Sequence, residues 1–341
     1  MKAVIMAGGE GTRLKAVTGD MPKPLVPLVG RPMLEHIILL LKKHGFTDIC
    51  ATLRYRAQDI EERFGDGNAL GVRLSYRVED EPLGTAGSVK NCADFYGDED
   101  FLVISGDAAC DMDLSALMEA HRKARAAVTI ALSRTSEPLS YGLAVTDSEG
   151  WVRCFIEKPR WSRVVTDLVN TGIYIISPRA MELVPEGQSF DFGKELFPLL
   201  LSRGEKILGL ALDGYWCDVG SPLAYYRCCI DALEGRLELT PGERFCTSTH
   251  TDEEEPRDEA AESIDCRCRD RAALMGTLSE CMLDMGADYS DGIHLTGRGY
   301  RLHIAPLARS SAVRVAVASE DAEFARSLAL STKELIDALD L

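Results

Sequence analysis

Apolar positions along the first part of the chain alternate between two spacings. Residues 3–7 (AVIMA) form a continuous apolar run stopped by Gly8 and Gly9, the pattern of a strand covered on both faces. Met33, Leu34, Ile37, Ile38 and Leu41 then recur at helical spacing, with Lys42 and Lys43 in the last turn and Gly45 as the stop. ICATL (49–53) reads as the second strand. AQDIEERF, VRLSYRV, a helix after Gly84, FLVIS (101–105), a helix over 114–125 and VTIALS (128–133) continue the alternation. That order predicts a doubly wound α/β sheet. Between Gly142 and Ser177 three strand-like stretches follow closely, which predicts a smaller subdomain appended to the sheet. FPLLLSRG and SPLAYYRCCIDALEG read as helices that close this domain near Gly235.

Beyond Gly235 the pattern breaks. TSTHTDEEEPRDEAAES holds seven acids, one arginine and almost nothing apolar, so 236–268 is expected to be an acidic, flexible linker. After it, 270–285 is helix-like, GIHLT and YRLHIA alternate as a hairpin around Gly297 and Gly299, SAVRVAVAS is a strand, and 320–338 is an amphipathic helix. The expected organisation is therefore a domain over 1–235, the linker, and a small α+β domain over 269–341.

Composition narrows the function classes. A hydrophobic share of 46% over 341 residues supports a buried core. The net charge of -16 argues against a nucleic-acid polymer as partner, because phosphate backbones are held by clustered Lys and Arg. No apolar run reaches the roughly 18 residues of a membrane span, and MKAVIMAGG reads as a strand entering a glycine loop rather than a signal peptide. No membrane association and a cytoplasmic location are the expectations. The eleven cysteines are scattered without disulfide-framework or zinc spacing and read as reduced thiols. Self-association as a homo-oligomer stays open.

The chemistry concentrates in Gly8-Gly9-Glu10-Gly11-Thr12-Arg13-Leu14, directly after the first strand, where glycines let main-chain N–H groups approach phosphates. The run lacks the Gly-Lys-Ser/Thr ending of a Walker loop. It also fails the dinucleotide fingerprint, with Leu14 at the third glycine position and no ribose-binding acid after Leu53. A nicotinamide dehydrogenase is therefore disfavoured. Arg13 supplies a planar fork for two phosphate oxygens, and Lys23 in Pro22-Lys23-Pro24 holds an ammonium on a stiffened segment. Displacement at phosphorus needs such cations for the charge that builds on the leaving pyrophosphate.

GGEGTRL followed by PKPL at 22–25 resembles the opening motif of the sugar nucleotidyltransferase family. Lys15-Ala16-Val17 departs from it, since the family often carries a proline there. The resemblance implies a Rossmann-like mixed sheet of the nucleotide-diphospho-sugar transferase kind. It also implies an activity joining a nucleoside triphosphate to a sugar 1-phosphate, with Mg²⁺ as cofactor. Ala7, Gly8, Gly9, Gly11 and Thr12 would line the nucleotide, with Arg13 and Lys23 as the catalytic cations. Asp107, beyond the carboxyl end of FLVIS, and Asp218, in GYWCDVGS, would be the metal pair. Asp111 and Asp113 are expected instead to cap the next helix. Glu157 and Asn170 would hold sugar hydroxyls, Lys158 the 1-phosphate, and Gly142 would give the sugar close access to backbone.

VEDEPLGTAGS (78–88) resembles the family's base-recognition segment, with Gly84 and Thr85 beside the nucleoside. Guanine presents N1–H and N2–H₂ as adjacent donors, and the Glu79 carboxylate is an acceptor suited to both. GTP with mannose 1-phosphate is therefore the expected pair. UTP with glucose 1-phosphate and GTP with a heptose 1-phosphate remain alternatives, as does a catalytically silent subunit that binds nucleotide sugars. Residues 291–317 resemble, more loosely, the last domain of phosphohexomutases, and that unit is expected to pack or mediate association rather than catalyse.

Overall fold

The computed structural model describes residues 1–9, 11–14, 21–28, 30–233, 235–239, 260–282, 287–289, 292–297, 299–308 and 310–339. Glu10, Lys15 to Val17 and the middle of the acidic stretch, 240–259, lie outside the described residues. The chain forms two units, Met1–Glu10 with Ile37–Trp216 and Gly11–His36 with Cys217–Leu341. The expected domain over 1–235 is thus divided between the two.

In the first unit, β1 (Lys2–Met6), β2 (Asp48–Leu53), β3 (Arg73–Val78), β4 (Phe101–Ser105), β5 (Val128–Arg134), β6 (Gly142–Thr146), β7 (Val152–Glu157), β8 (Leu168–Ile176) and β9 (Ile207–Ala211) form one nine-stranded sheet. Its order is β7-β6-β8-β4-β1-β2-β3, with β5 beside β8 and β9 beside β5. β1 runs parallel to β2 and β4, and β2 parallel to β3. Burial on both faces is why their sequences are continuously apolar. Ala3, Val4 and Ile5 are fully buried, as are Leu102, Val103 and Ile104, each large side chain contributing about 1.5–3 kcal/mol. β8 lies antiparallel to β4 and β5, and β6 antiparallel to β7, which makes the sheet mixed.

The helix Met33–Lys43 buries Leu34, Ile38 and Leu41 completely and ends at Gly45, whose φ of +78° suits a residue without a side chain. The helix Leu114–Ala124 begins at Asp113, whose carboxylate accepts from the N–H groups of Ser115 and Ala116. That cap is as expected, but Asp111 is a correction. Its Oδ1 accepts from Tyr215 N–H at 2.6 Å, pinning a distant loop rather than the helix start.

In the second unit, β10 (Ala260–Arg267), β11 (Ile293–Gly297), β12 (Tyr300–Pro306) and β13 (Ala312–Ser319) form an antiparallel sheet in the order β10-β13-β12-β11. The helix Ala322–Leu339 packs on β10 and β13. β10 corrects the linker expectation at its carboxyl end: the polar run AAESIDCR pairs over its whole length with β13, from Ala260 opposite Ser319 to Arg267 opposite Ala312. Its alternation was masked by a polar exposed face. The helix Arg271–Cys281 packs closely on the helix Pro222–Leu233, since a Cβ added at Gly276 would stand 3.1 Å from Leu223 Cα. Ser279 Oγ and Tyr226 Oη meet at 3.2 Å in the same contact. Among the described residues, no helix is long and apolar enough to cross a membrane.

Candidate active site

The carboxyl ends of β1 and β4 converge in the first unit. Gly106 N donates to Met6 O at 2.8 Å, and a Cβ at Gly106 would lie 2.8 Å from that oxygen and 2.9 Å from Ala7 Cβ. Only glycine permits this approach, which delivers the next residue, Asp107, beside the start of the glycine loop. Ser105 Oγ donates to Asp107 Oδ1 at 2.6 Å and orients the carboxylate. At Gly9, nothing stands within 4 Å of where a Cβ would be, so its backbone is open to a ligand.

Glu79 follows β3, its N–H bonded to Leu53 O at 2.8 Å. The residue is 7% exposed. Oε2 accepts a long bond from Leu83 N–H at 3.4 Å, while Oε1 is buried without a hydrogen-bond partner among the described residues. A buried carboxylate oxygen left unpaired costs more than an ordinary hydrogen bond contributes, so this oxygen has capacity for a further donor. Gly84, at φ +68°, packs where a Cβ would fall 2.8 Å from Phe190 O. Thr85 has its hydroxyl engaged structurally, donating to Asp191 Oδ2 at 3.1 Å and accepting from Phe192 N–H at 2.9 Å.

Gly142 and Glu157 are cross-strand partners on β6 and β7, and a Cβ at Gly142 would sit 2.8 Å from Glu157 Oε2. The missing side chain makes room for the carboxylate. Lys158, in the left-handed region at φ +40°, leaves β7 with its N–H bonded to Tyr141 O. On β8 the pairing with β5 shifts register between Asn170 and Tyr174, and Asn170 Oδ1 accepts from Gly172 N–H at 3.0 Å. Burial pushes the Tyr174 phenol up.

In the second unit, Gly11 adopts φ +64° and turns the loop against Lys23, whose Cβ would be 3.0 Å from a Cβ there. Lys23 is 6% exposed, and its Nζ lies 3.8 Å from Asp218 Oδ1. A Cβ at Gly220 would stand 3.3 Å from both Arg13 Nη2 and Asp218 Oδ2, so these groups flank one glycine. Thr12 opens the short turn Thr12–Leu14. Two cationic side chains from one stretch of the chain and a carboxylate far from both in sequence are thereby gathered. Tyr225 donates its hydroxyl to Pro27 O at 2.7 Å, anchoring the stretch after Lys23 to the helix after Asp218.

Sequence reasoning missed Gly106, Ser105, Asp191 and Trp216. The indole of Trp216 donates to Thr171 O at 3.0 Å and its ring meets Tyr141 edge-on at 5.2 Å, walling the region of Gly142 and Asn170. An aromatic beside the acid in GYWCDVGS was the available signal. Asp191, 106 residues from Thr85, gave none.

A family model described as nucleotidyl transferase matches residues 2–234. The chain is 36% identical to a UTP–glucose-1-phosphate uridylyltransferase of Synechocystis sp., over 67% of this chain and 62% of that protein. It is also 36% identical to a mannose-1-phosphate guanylyltransferase of Mycobacterium tuberculosis, over 68% of this chain and 65% of that one. The chain thus spans less than two thirds of the length of these relatives. Among solved structures, a putative glucose-1-phosphate thymidylyltransferase from Bacillus anthracis superposes with a TM-score of 0.63 at 28% identity, covering 72% of this chain and 99% of that one. HddC from Yersinia pseudotuberculosis, complexed with GMP-PN, gives 0.58 at 31% identity, covering 67% and 97%.

Proposed function

The chain belongs to the nucleotidyl transferase family, and from that premise we propose that it joins GTP to a sugar 1-phosphate, with mannose 1-phosphate as the acceptor, releasing pyrophosphate. The observation that carries the guanine choice is the buried, unpartnered Oε1 of Glu79. Guanine N1–H and N2–H₂ are the adjacent donors that would satisfy both carboxylate oxygens, whereas uracil offers one N–H between two acceptors. A structural relative complexed with GMP-PN is in keeping with that choice.

In this reading an oxygen of the sugar 1-phosphate attacks the α-phosphorus of GTP in line. The new O–P bond forms as the bond to the pyrophosphate oxygen breaks, and pyrophosphate leaves with the electron pair. Open backbone at Gly9 lets N–H groups of the loop approach the phosphates. Lys23, desolvated among its neighbours, places a positive charge where the α-phosphate becomes more negative, and Arg13 receives the departing pyrophosphate. Glu157 and Asn170 hold sugar hydroxyls beside the bare Gly142 backbone, and Lys158 aims the 1-phosphate.

Mg²⁺ is the ion this reading calls for, and Asp107 of the first unit and Asp218 of the second are the hard carboxylates that would hold it. Bound there, the ion supplies charge neutralisation for the triphosphate. Asp107 is oriented by Ser105, and Asp218 lies 3.8 Å from the Lys23 ammonium.

A matrix of the four nucleoside triphosphates against mannose, glucose and heptose 1-phosphates, read by pyrophosphate release, tests the proposal. GTP with mannose 1-phosphate should give the highest kcat/KM. Highest turnover with UTP or CTP refutes the guanine reading, and binding of GDP-sugar without turnover on any pair makes the chain a nucleotide-sugar-binding subunit.

A further inference from the structure

Within the first unit, residues 188–195 are stitched to the helix Gly84–Lys90 from far along the chain. Phe190 O accepts from Ala86 and Gly87 N–H at 2.9 and 3.0 Å, and Phe190 N–H donates to Leu83 O at 2.9 Å. A Cβ at Gly87 would stand 2.5 Å from Gln188 O, so only bare backbone permits this seam. Asp191 extends it through side chains. Its Oδ2 accepts from the Thr85 hydroxyl, which itself accepts from Phe192 N–H.

The other oxygen of Asp191 shapes what comes next. Oδ1 accepts from Gly193 and Lys194 N–H at 2.9 and 3.0 Å, and Glu195 Oε2 accepts in return from Asp191 N–H at 2.8 Å. This reciprocal cap sets the wide turn Phe192–Leu196. The turn delivers Gly193 to the carboxylate at the end of β7, because a Cβ at Gly193 would lie 3.6 Å from Glu157 Oε2. The same oxygen would be 2.8 Å from a Cβ at Gly142. Glu157 is therefore walled by two bare backbones, one belonging to β6 and one held in place by Asp191.

We infer that Asp191 is a positioning residue that sets Thr85, on the base side, and Glu157, on the sugar side, in one frame, so that binding of either substrate favours the other. This rests on the donor and acceptor roles proposed for those two segments. A nucleotide that stills Gly84 and Thr85 also stills Asp191 and the turn it caps, so the acceptor meets a wall already ordered and loses less freedom on binding. Linkage requires the acceptor to favour the nucleotide by the same factor.

Hydrogen–deuterium exchange on the full chain reads the bridge directly, since the Phe192, Gly193 and Lys194 amides are its own bonds. GTP with Mg²⁺ alone, and mannose or glucose 1-phosphate alone, should each slow exchange over 190–196, whereas sodium chloride at matched ionic strength should not. Thr85→Val keeps the side-chain shape and removes the hydroxyl that links Asp191 to Phe192, and Thr85→Ser retains it. In Thr85→Val the protection of 190–196 by GTP should be lost and KM for the better sugar 1-phosphate should rise about fivefold or more, while Thr85→Ser behaves as the wild type. A purely structural bond would lower the Tm of Thr85→Val and leave that KM unchanged. The inference is overturned by that result, by GTP protecting 79–87 without 190–196, or by a sugar 1-phosphate protecting 154–170 without 190–196. Failure of the proposed activity is distinguishable, because 79–87 or 154–170 then gains no protection from its own substrate. Should Thr85→Val not fold, the wild-type exchange pattern still decides.

Discussion

Glu79→Gln separates base recognition from every other role in the site. The substitution preserves size at a position only 7% exposed and removes the negative charge from an oxygen that has no partner among the described residues. A carboxylate receiving guanine N1–H and N2–H gains two charge-assisted bonds, worth about 1.5–3 kcal/mol each. The amide keeps one acceptor and turns an N–H₂ toward the other donor. One bond is then lost outright, and kcat/KM for GTP should fall roughly ten- to hundred-fold. An amide pairs well with the uracil edge, so UTP should fall less or rise. Without ligand the variant sheds a buried unpaired charge, so its Tm should hold or increase. The assay is pyrophosphate release with GTP and UTP at saturating sugar 1-phosphate, alongside thermal melts. An unchanged GTP-to-UTP ratio in a well-folded variant would refute the reasoning, because nothing then links this carboxylate to the base.

Lys23→Met removes the buried ammonium beside Asp218 and should lower kcat by about 10²–10³, as loss of one transition-state charge donor does, measured at saturating substrates. Gly106→Ala forces a Cβ to within 2.8 Å of Met6 O; a cost of about 1–3 kcal/mol in denaturant unfolding, with loss of turnover as Asp107 shifts, is expected. EDTA should abolish pyrophosphate release and added Mg²⁺ restore it. Burial holds the His121 imidazole below its ordinary pKa of 6.5. The unfolded chain therefore takes up the proton first, and this contribution to stability, complete above about pH 6.5, is lost as the pH falls below it. His121→Gln should flatten the decline of Tm between about pH 7 and pH 5, and an unaltered slope would assign the acid sensitivity to other groups.

Periodicity determined much by itself. A strand buried on both faces cannot avoid an apolar run, and a helix with one covered face cannot avoid a 3.6-residue stripe, so β1, β2, β4 and the helix Met33–Lys43 were legible in local sequence. The glycine loop and Lys23 stand out in the sequence for a similar reason: the proposed phosphate approach would demand missing side chains and fixed cations whatever lies around them. Tertiary structure alone decided the rest. β10 carries a polar exposed face and exists because β13 offers it a ladder. Asp111 reads as a cap and serves Tyr215, 104 residues away. The burial of Glu79 Oε1 without a hydrogen-bond partner among the described residues follows from what its neighbours do not offer, and the pairing of Thr85 with Asp191 from a loop brought back across the fold. Spacing along a chain records the faces an element must bury, whereas the partner of a polar atom depends on which remote backbone the finished packing sets beside it.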